Sequence, residues 1–514
     1  VLDRDIIKAS GARDLGDLLR LVPGFQTYPN NTETARVAYH GLNDDEYSPR
    51  VQVMVDGRSL YSPLFRNGVN WGLMPVAIED IERIEVVRGS NNVSYGTNAF
   101  LGVINIITVD PALAKGFSVS TNQGNQGVRD YTLRSGGKLG EAGTFRFTYQ
   151  QRDDDGLKDQ YDWKSFYRNR LLDFRADVQA TSRDSLEFSF GRVETTTVFG
   201  RFQKSGTTVL PVEKLDDPFR DYQQENTHFQ AQWRRVLSAD SEFKLRYAFS
   251  EDWATDGHLE TATGFTVPGS STGVAIQWMD AYGGRSRTHE LETQYLLSLN
   301  TDTRLAWGAS WRHDGLSSTG YLYGRDVVQR SVARVFGNFE WKPSPWFTGN
   351  MGLSIERDSL GGTHESPRVS GNFHLSPENT LRLGYGKAYR TGSIIDYVGD
   401  RRYLPFASTD TPSIPITLGS LYKRKFLGDP NMPAEKMETL EIGYLGDWKN
   451  QRMSLDVRVF QEKIPNRLVS AYSHQLEVGL CSVLNASSPQ CSISADGTLA
   501  IQSVKTQGLE YQWR

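Results

Sequence analysis

Side chains able to do chemistry are scattered along this chain rather than gathered. Gly269-Ser270-Ser271-Thr272-Gly273 has the Gly-x-Ser-x-Gly spacing that exposes a nucleophilic serine when it sits on a strand-to-helix elbow. Here it stands in a polar stretch without that elbow, and no His has an evident nucleophile partner. The 8 His and 2 Cys include no group with structural-zinc spacing, so no catalytic residue, metal site or cofactor is assigned. Cys481 and Cys491 lie ten apart in a polar stretch, which suits a small disulfide loop in an oxidising compartment.

The elements that would have to position such groups are bounded by composition. The 514 residues carry 57 Lys+Arg against 61 Asp+Glu, a formal charge of -4, so no global field exists to bind nucleic acid. The longest apolar stretches, such as Phe100 to Ile104, stop well short of the roughly 18 residues a membrane-spanning helix needs. Membrane-spanning strands remain open, because each needs only about 10 residues and turns every second side chain to lipid. Val1 opens the chain without a secretory signal, which is expected to lie upstream or to have been removed.

Residues 1–110 read as a compact mixed α/β unit. Leu15, Leu18, Leu19 and Val22 share one helical face before Pro23-Gly24, Val51 to Val55 alternates into the turn Asp56-Gly57, and strands are expected at Glu85 to Gly89 and Gly102 to Thr108. From residue 111 the texture changes to period two. Phe145, Phe147 and Tyr149 alternate with Arg146, Thr148 and Gln150, and Leu455, Val457 and Val459 alternate with Ser454, Asp456 and Arg458. Charges at strand centres opposite a face bearing Trp307, Trp311, Trp341 and Trp513 fit lipid outside and a wet lumen inside better than a soluble sandwich. Tight turns near 140–143, 182–185, 238–241, 300–303, 343–345, 377–380 and 449–451 alternate with longer excursions, the last near 461–499. About sixteen strands are expected, the last at Thr506 to Arg514. Either they close by themselves or the chain is a fragment of a longer barrel.

Three segments carry a family resemblance: Leu-Arg-Leu-Val-Pro-Gly-Phe (Leu19 to Phe25), Val51 to Ser62, and above all Ile78 to Thr108, with weaker matches at Gly428 to Tyr444 and Val504 to Trp513. They are similar to the plug and barrel of TonB-dependent outer-membrane receptors. The resemblance implies an antiparallel all-β membrane barrel of 22 strands in the intact protein, about 16 present here, with an N-terminal mixed α/β plug in the lumen. It also implies a missing upstream TonB box. The partners implied are TonB with ExbB and ExbD, outer-membrane lipid and lipopolysaccharide, and no nucleic acid, for a monomer in the bacterial outer membrane.

In the family's layout the plug's outward loops would present Gln26, Tyr28, Asn43, Asp44, Tyr61, Phe65, Arg66, Asn67 and Trp71 to a bulky polar ligand. Phe65 and Trp71 fit simple packing equally well. The outer loops would add Arg401, Arg402, Tyr403, Tyr422 and Arg424, able to meet an anionic chelate by charge and stacking or to remain solvated surface. Arg88 would be paired with wall glutamates, and alternation turns Glu441 inward, so an Arg88–Glu441 latch is expected. Where the family has a second Arg-Gly this chain has His40-Gly41, a departure that would make the latch weaker or pH-dependent, unless His40 is simply a hydrogen-bonded plug residue. The implied function is active import of a ferric siderophore. Cobalamin or another nutrient within the same family is the alternative, and a passive diffusion porin is the alternative from a different class.

Overall fold

A computed structural model describes the chain apart from residues 29–35, 43–46, 48, 157–165, 201–203, 206–207, 210–218, 267–272, 280–281, 406–422, 479–491 and 514, with backbone alone at the edges of several of these segments. Among the described residues no helix is long and apolar enough to cross a membrane.

The first unit holds β1 (Leu2–Asp3), α1 (Arg4–Ser10), α2 (Leu15–Leu18), β2 (Phe25–Tyr28), β3 (Arg36–Tyr39), β4 (Val51–Val55), β5 (Arg58–Ser59), β6 (Ile81–Arg88), α3 (Asn92–Tyr95) and β7 (Gly102–Thr108). The Asp3 side chain caps α1 by accepting from the Ile6 N–H, and Gly11, in the left-handed region, ends it. The expected helix near Ala12 to Val22 is shorter: α2 passes into a 3-10 turn at Leu19–Leu21, with Leu15, Leu18 and Leu19 buried. β6 begins at Ile81, four residues before the expected Glu85, after a single 3-10 turn at Ile78–Asp80. β1, β6, β7, β4 and β5 lie side by side in one sheet, with β4 and β7 parallel. Ile84, Phe100, Leu101, Ile104 and Ile106, none of them accessible, form the heart of its core.

Among the described residues, sixteen long antiparallel strands then form the wall. They are β8 (Gly116–Gln123), β9 (Arg129–Leu139), β10 (Gly143–Asp154), β11 (Tyr167–Gln179), β12 (Asp184–Phe199), β13 (Arg220–Ser238), β14 (Ser241–Thr255) and β15 (Gly284–Asn300), then β16 (Thr303–Ser317), β17 (Val328–Ser344), β18 (Phe347–Asp358), β19 (Gly362–Ser376), β20 (Asn379–Arg390), β21 (Glu435–Trp448), β22 (Met453–Val478) and β23 (Ser492–Trp513). Each pairs with its neighbour in this series. Their outer face leaves Trp307, Trp311, Val335, Trp341, Leu440, Leu509 and Tyr511 exposed, while Arg146, Asp173, Arg334 and Glu435 are buried against the plug. That polarity is inverted relative to a water-soluble protein, as a wall between lipid and a filled lumen requires.

Two details differ from the sequence expectation. The excursion at 461–499 is mostly ladder, since β22 and β23 run on past the apolar band with register shifts at Ile464/Arg467 and Ala471/His474. Long and short joins also do not alternate strictly. β18 and β19 are joined by only Ser359, Leu360 and Gly361, where the Asp358 carboxylate accepts from the Leu360 N–H at 2.9 Å.

Candidate functional site

The plug meets the wall through buried charge. His40 follows β3 with φ 53°, and Gly41 after it has φ 67°, a left-handed pair that turns the chain and aims the imidazole at the wall. Its ring lies between Tyr39 and Phe460, with centroids 3.8 and 4.4 Å away. Nδ1 stands 2.8 Å from Glu462 Oε2 and Nε2 2.9 Å from Glu510 Oε1. A neutral imidazole has one N–H, so two carboxylates are satisfied together only by the imidazolium. Burial pulls the His40 pKa down, but hydrogen bonds and charge from Glu462 and Glu510 more than reverse this and hold it above its ordinary 6.5.

Arg88, the last residue of β6, completes the contact. Its Nη1 lies 3.1 Å from Glu510 Oε2 and its Nη2 lies 3.2 Å from Asp456 Oδ2. Glu441 joins the same network one step away: Arg458 Nε donates to it at 2.9 Å, and Arg458 Nη1 lies 3.4 Å from Glu510. The direct partners that the structure gives Arg88 are therefore Glu510 and Asp456, with Glu441 linked through Arg458. Gly89 has φ 84°, in the left-handed region that side-chain-bearing residues rarely adopt, which favours glycine directly after Arg88.

Further clamps hold the plug. Arg50 and Arg390 share Glu435, at 2.8 and 2.9 Å, and complete burial, opposed by Glu435, draws Arg50 down to about 10. Asp80, fully buried, faces Arg134 at 2.6 Å and Arg146 at 3.5 Å. On the side of β14 to β18 a polar cavity of about 580 Å³ lies between parts of the two units, lined by Arg246, Glu290, Arg312, Arg334 and Glu356 and by the plug turn Asp56-Gly57. Arg246 Nη1, Arg334 Nη1 and Glu356 Oε1, all of them on residues that line it, have no hydrogen-bond partner. Sequence reasoning missed this cavity. Its signal was the recurrence of inward charges at alternate positions of β14 to β18.

At the plug's outward end, Tyr61, Phe65, Arg66, Asn67 and Trp71 come together in one loop. Arg66 and Asn67 are consecutive left-handed residues, at φ 52° and 57°. Tyr61 donates to the Val51 carbonyl at 2.5 Å, and Phe65 and Trp71 are buried. Phe65 packs in a cluster with Ile394 and Ile395 of α4 (Ile394–Val398), a helix in the β20–β21 connection, and Arg66 lies 5.3 Å from the Phe426 ring centroid. The apex is thus covered by an outer-loop element, which the sequence reading did not anticipate. Arg401 lies over the rings of Tyr321 and Tyr282, at 4.6 and 5.2 Å. Gln26 is exposed on β2. Asn43, Asp44, Tyr422, Cys481 and Cys491 fall outside the described residues, as do the side chains of Tyr28, Arg402, Tyr403 and Arg424.

Comparison with known proteins places this arrangement. The profile described as "TonB dependent receptor-like, beta-barrel" matches residues 148–514, and the "TonB-dependent Receptor Plug Domain" profile matches residues 1–103. The chain belongs to the TonB-dependent receptor family. This barrel-and-plug fold is that of an outer-membrane protein. Among curated relatives, the iron-regulated outer membrane virulence protein of Vibrio cholerae is 24% identical over 78% of this chain. The ferric enterobactin receptor PirA of Pseudomonas aeruginosa and the vitamin B12 transporter BtuB of Vibrio vulnificus are each 22% identical over 91% of it. The chain spans 58% of the length of the first of these and 67% of the other two. The solved siderophore receptor PirA from Pseudomonas aeruginosa superposes with a TM-score of 0.71 at 17% identity, covering 99% of this chain and 80% of that one.

Proposed function

We propose that this chain supplies the plug and wall of a receptor that actively imports a scarce, bulky ligand across the outer membrane, a ferric siderophore in the first place. The observation that carries this reading is the seating of the plug: a folded domain fills the lumen and is fixed by buried ion pairs such as Arg50–Glu435 and Arg88–Glu510. A passive porin has no use for such a stopper, whereas removing buried ion pairs on demand requires work. The outer membrane offers neither ATP nor an ion gradient, so the work comes from TonB with ExbB and ExbD. The ligand meets the apical loop and the basic-aromatic outer loops, once α4 has lifted from Phe65. The receptor works as a monomer in lipid and lipopolysaccharide, and no catalytic step is assigned.

Cobalamin is the second reading, since one of the relatives is named a vitamin B12 transporter. A deletion strain tested on a panel of iron chelates and cobalamin separates the two. Loss of growth on a chelate supports the first, and loss on cobalamin alone supports the second. Uptake that continues at full rate after the inner-membrane proton gradient has been collapsed contradicts both.

A further inference from the structure

Two histidines that lie well apart in the sequence are brought opposite one another on the outer face of the wall. Hydrogen-bonded register sets His289 of β15 directly across from His313 of β16. Both point away from the plug, because their chain neighbours Glu290, Arg312 and Asp314 line the polar cavity and Thr288 donates to Asp314 at 2.8 Å on that inner side. One row along the strands in one direction, Tyr247, Leu291 and Trp311 stand exposed side by side. One row in the other direction, Arg287 pairs with Glu251 at 2.6 Å. The histidines therefore sit where the apolar band gives way to charge and water, within reach of a hydrated cation.

Side chains directly opposed across a ladder hold their Cβ atoms about 4.5–5.5 Å apart, close enough for two imidazoles to converge on one ion. Each ring is also tethered from its far side. Nδ1 of His289 lies 2.9 Å from the Tyr247 hydroxyl on β14, and Nδ1 of His313 lies 2.9 Å from the Ser331 hydroxyl on β17. A hydroxyl can accept from Nδ1–H, and in that tautomer the lone pair is on Nε2, on the ring edge turned away from the flanking strand. Among the described residues neither Nε2 makes a hydrogen bond. One nitrogen fixed by an acceptor and the other left free is how a metal-ligating histidine is held. No other two histidines are opposed in this way in the ladders of the described residues.

We propose that His289 and His313 bind one divalent transition-metal ion, Cu2+ more tightly than Zn2+, through their Nε2 atoms. Imidazole suits copper, zinc and nickel, whereas Mg2+ and Ca2+ take oxygen ligands. Among the described residues no group of three His, Cys, Asp or Glu is placed to hold a metal, so water completes the coordination. The ion would link β15 to β16 across their ladder. The assignment is independent of which ligand the receptor imports.

The test uses the full-length receptor in detergent, without a polyhistidine tag, titrated with Cu2+ alone and followed by electron paramagnetic resonance. The first equivalent bound by the wild type is expected to show splitting from two imidazole nitrogens. H289Q and H313Q should each lose that pattern, while Y247F and S331A, which remove only the tethers, should keep it and bind about tenfold more weakly. Zn2+ should displace the copper and an excess of Ca2+ should not. The heat-modifiable gel shift of a folded barrel qualifies each variant, and if neither Gln variant folds, the tenfold loss in S331A decides. A first equivalent held by fewer than two imidazoles, an unchanged spectrum in a folded Gln variant, or an unchanged affinity in S331A overturns the assignment.

Discussion

His40 is a side chain whose charge the environment can remove. Its pKa is raised on folding, so the stability it contributes is fully present below about 6.5 and is lost as pH rises through the higher folded value. The plug should therefore be seated more firmly at pH 6 than at pH 9, as read from proteolysis or hydrogen exchange of the plug across that range. H40R should flatten the dependence, and a profile equally steep in H40R would contradict it. H40A removes the nearer of two cations facing Glu462, leaving Arg458 at 3.7 Å, while Arg88 and Arg458 still neutralise Glu510. A loss of about 3 kcal/mol, the low end for breaking a buried pair, is expected. E435Q, which removes the carboxylate charge that Arg50 and Arg390 share, should cost about 3–5 kcal/mol by the same measurement. The identity of the latch acids was harder to read from the chain than their orientation. Glu441, Asp456, Glu462 and Glu510 all satisfy the inward parity of their strands, and the choice among them depends on how β6, hundreds of residues away in sequence, docks against the wall.

α4 is the element on which access to the apex turns. It starts at a capping box: the Ser393 hydroxyl accepts from the Asp396 N–H at 3.2 Å while the Asp396 carboxylate accepts from the Ser393 N–H at 2.8 Å. Thr498 of β23 donates to the other Asp396 oxygen at 2.7 Å, tying the helix to the wall. S393A removes half of the box, so local stability should fall by about 1 kcal/mol. The readout is faster labelling of a cysteine placed at Phe65, and an unchanged rate would show that α4 does not control the apex. The spacing Ser393-Ile394-Ile395-Asp396 was present in the sequence as a helix-start signature. It passed unread because a five-residue helix inside a long connection offers no periodicity. The wall strands, by contrast, declared themselves through many repeats of the same two-residue period, and the short joins through their polar turn residues. β22 and β23 were underestimated because their alternation weakens above the lipid band, where both faces meet water or loops.

Plug and wall together form a structure fastened unevenly. Ion pairs bind the plug to β9 to β11 through Asp80, Arg13 and Asp56, and to β21 to β23 through Arg50, His40 and Arg88, while on the side of β14 to β18 a polar cavity lies between parts of the two units. Backbone amides of the plug strand β4, which ends beside that cavity and meets β5 only at Met54 and Val55, should exchange faster than those of wall strands β15 to β17, whose ladders are paired along both edges. Mass-resolved hydrogen exchange of the folded receptor measures this, and the reverse order would mean that the wall is the looser partner.

The length of β22 has a consequence of another kind. Its 26 residues run roughly 85–90 Å along the strand, of which a tilted crossing uses only about 10 residues. The remainder rises with β23 above the bilayer as a mast, so an antibody or virus arriving at the cell touches this hairpin before it reaches the stopper below. A peptide tag inserted just after Val478 should be stained on intact cells, whereas the same tag in the tight join at Lys449–Gln451 should be reached only once the envelope is broken.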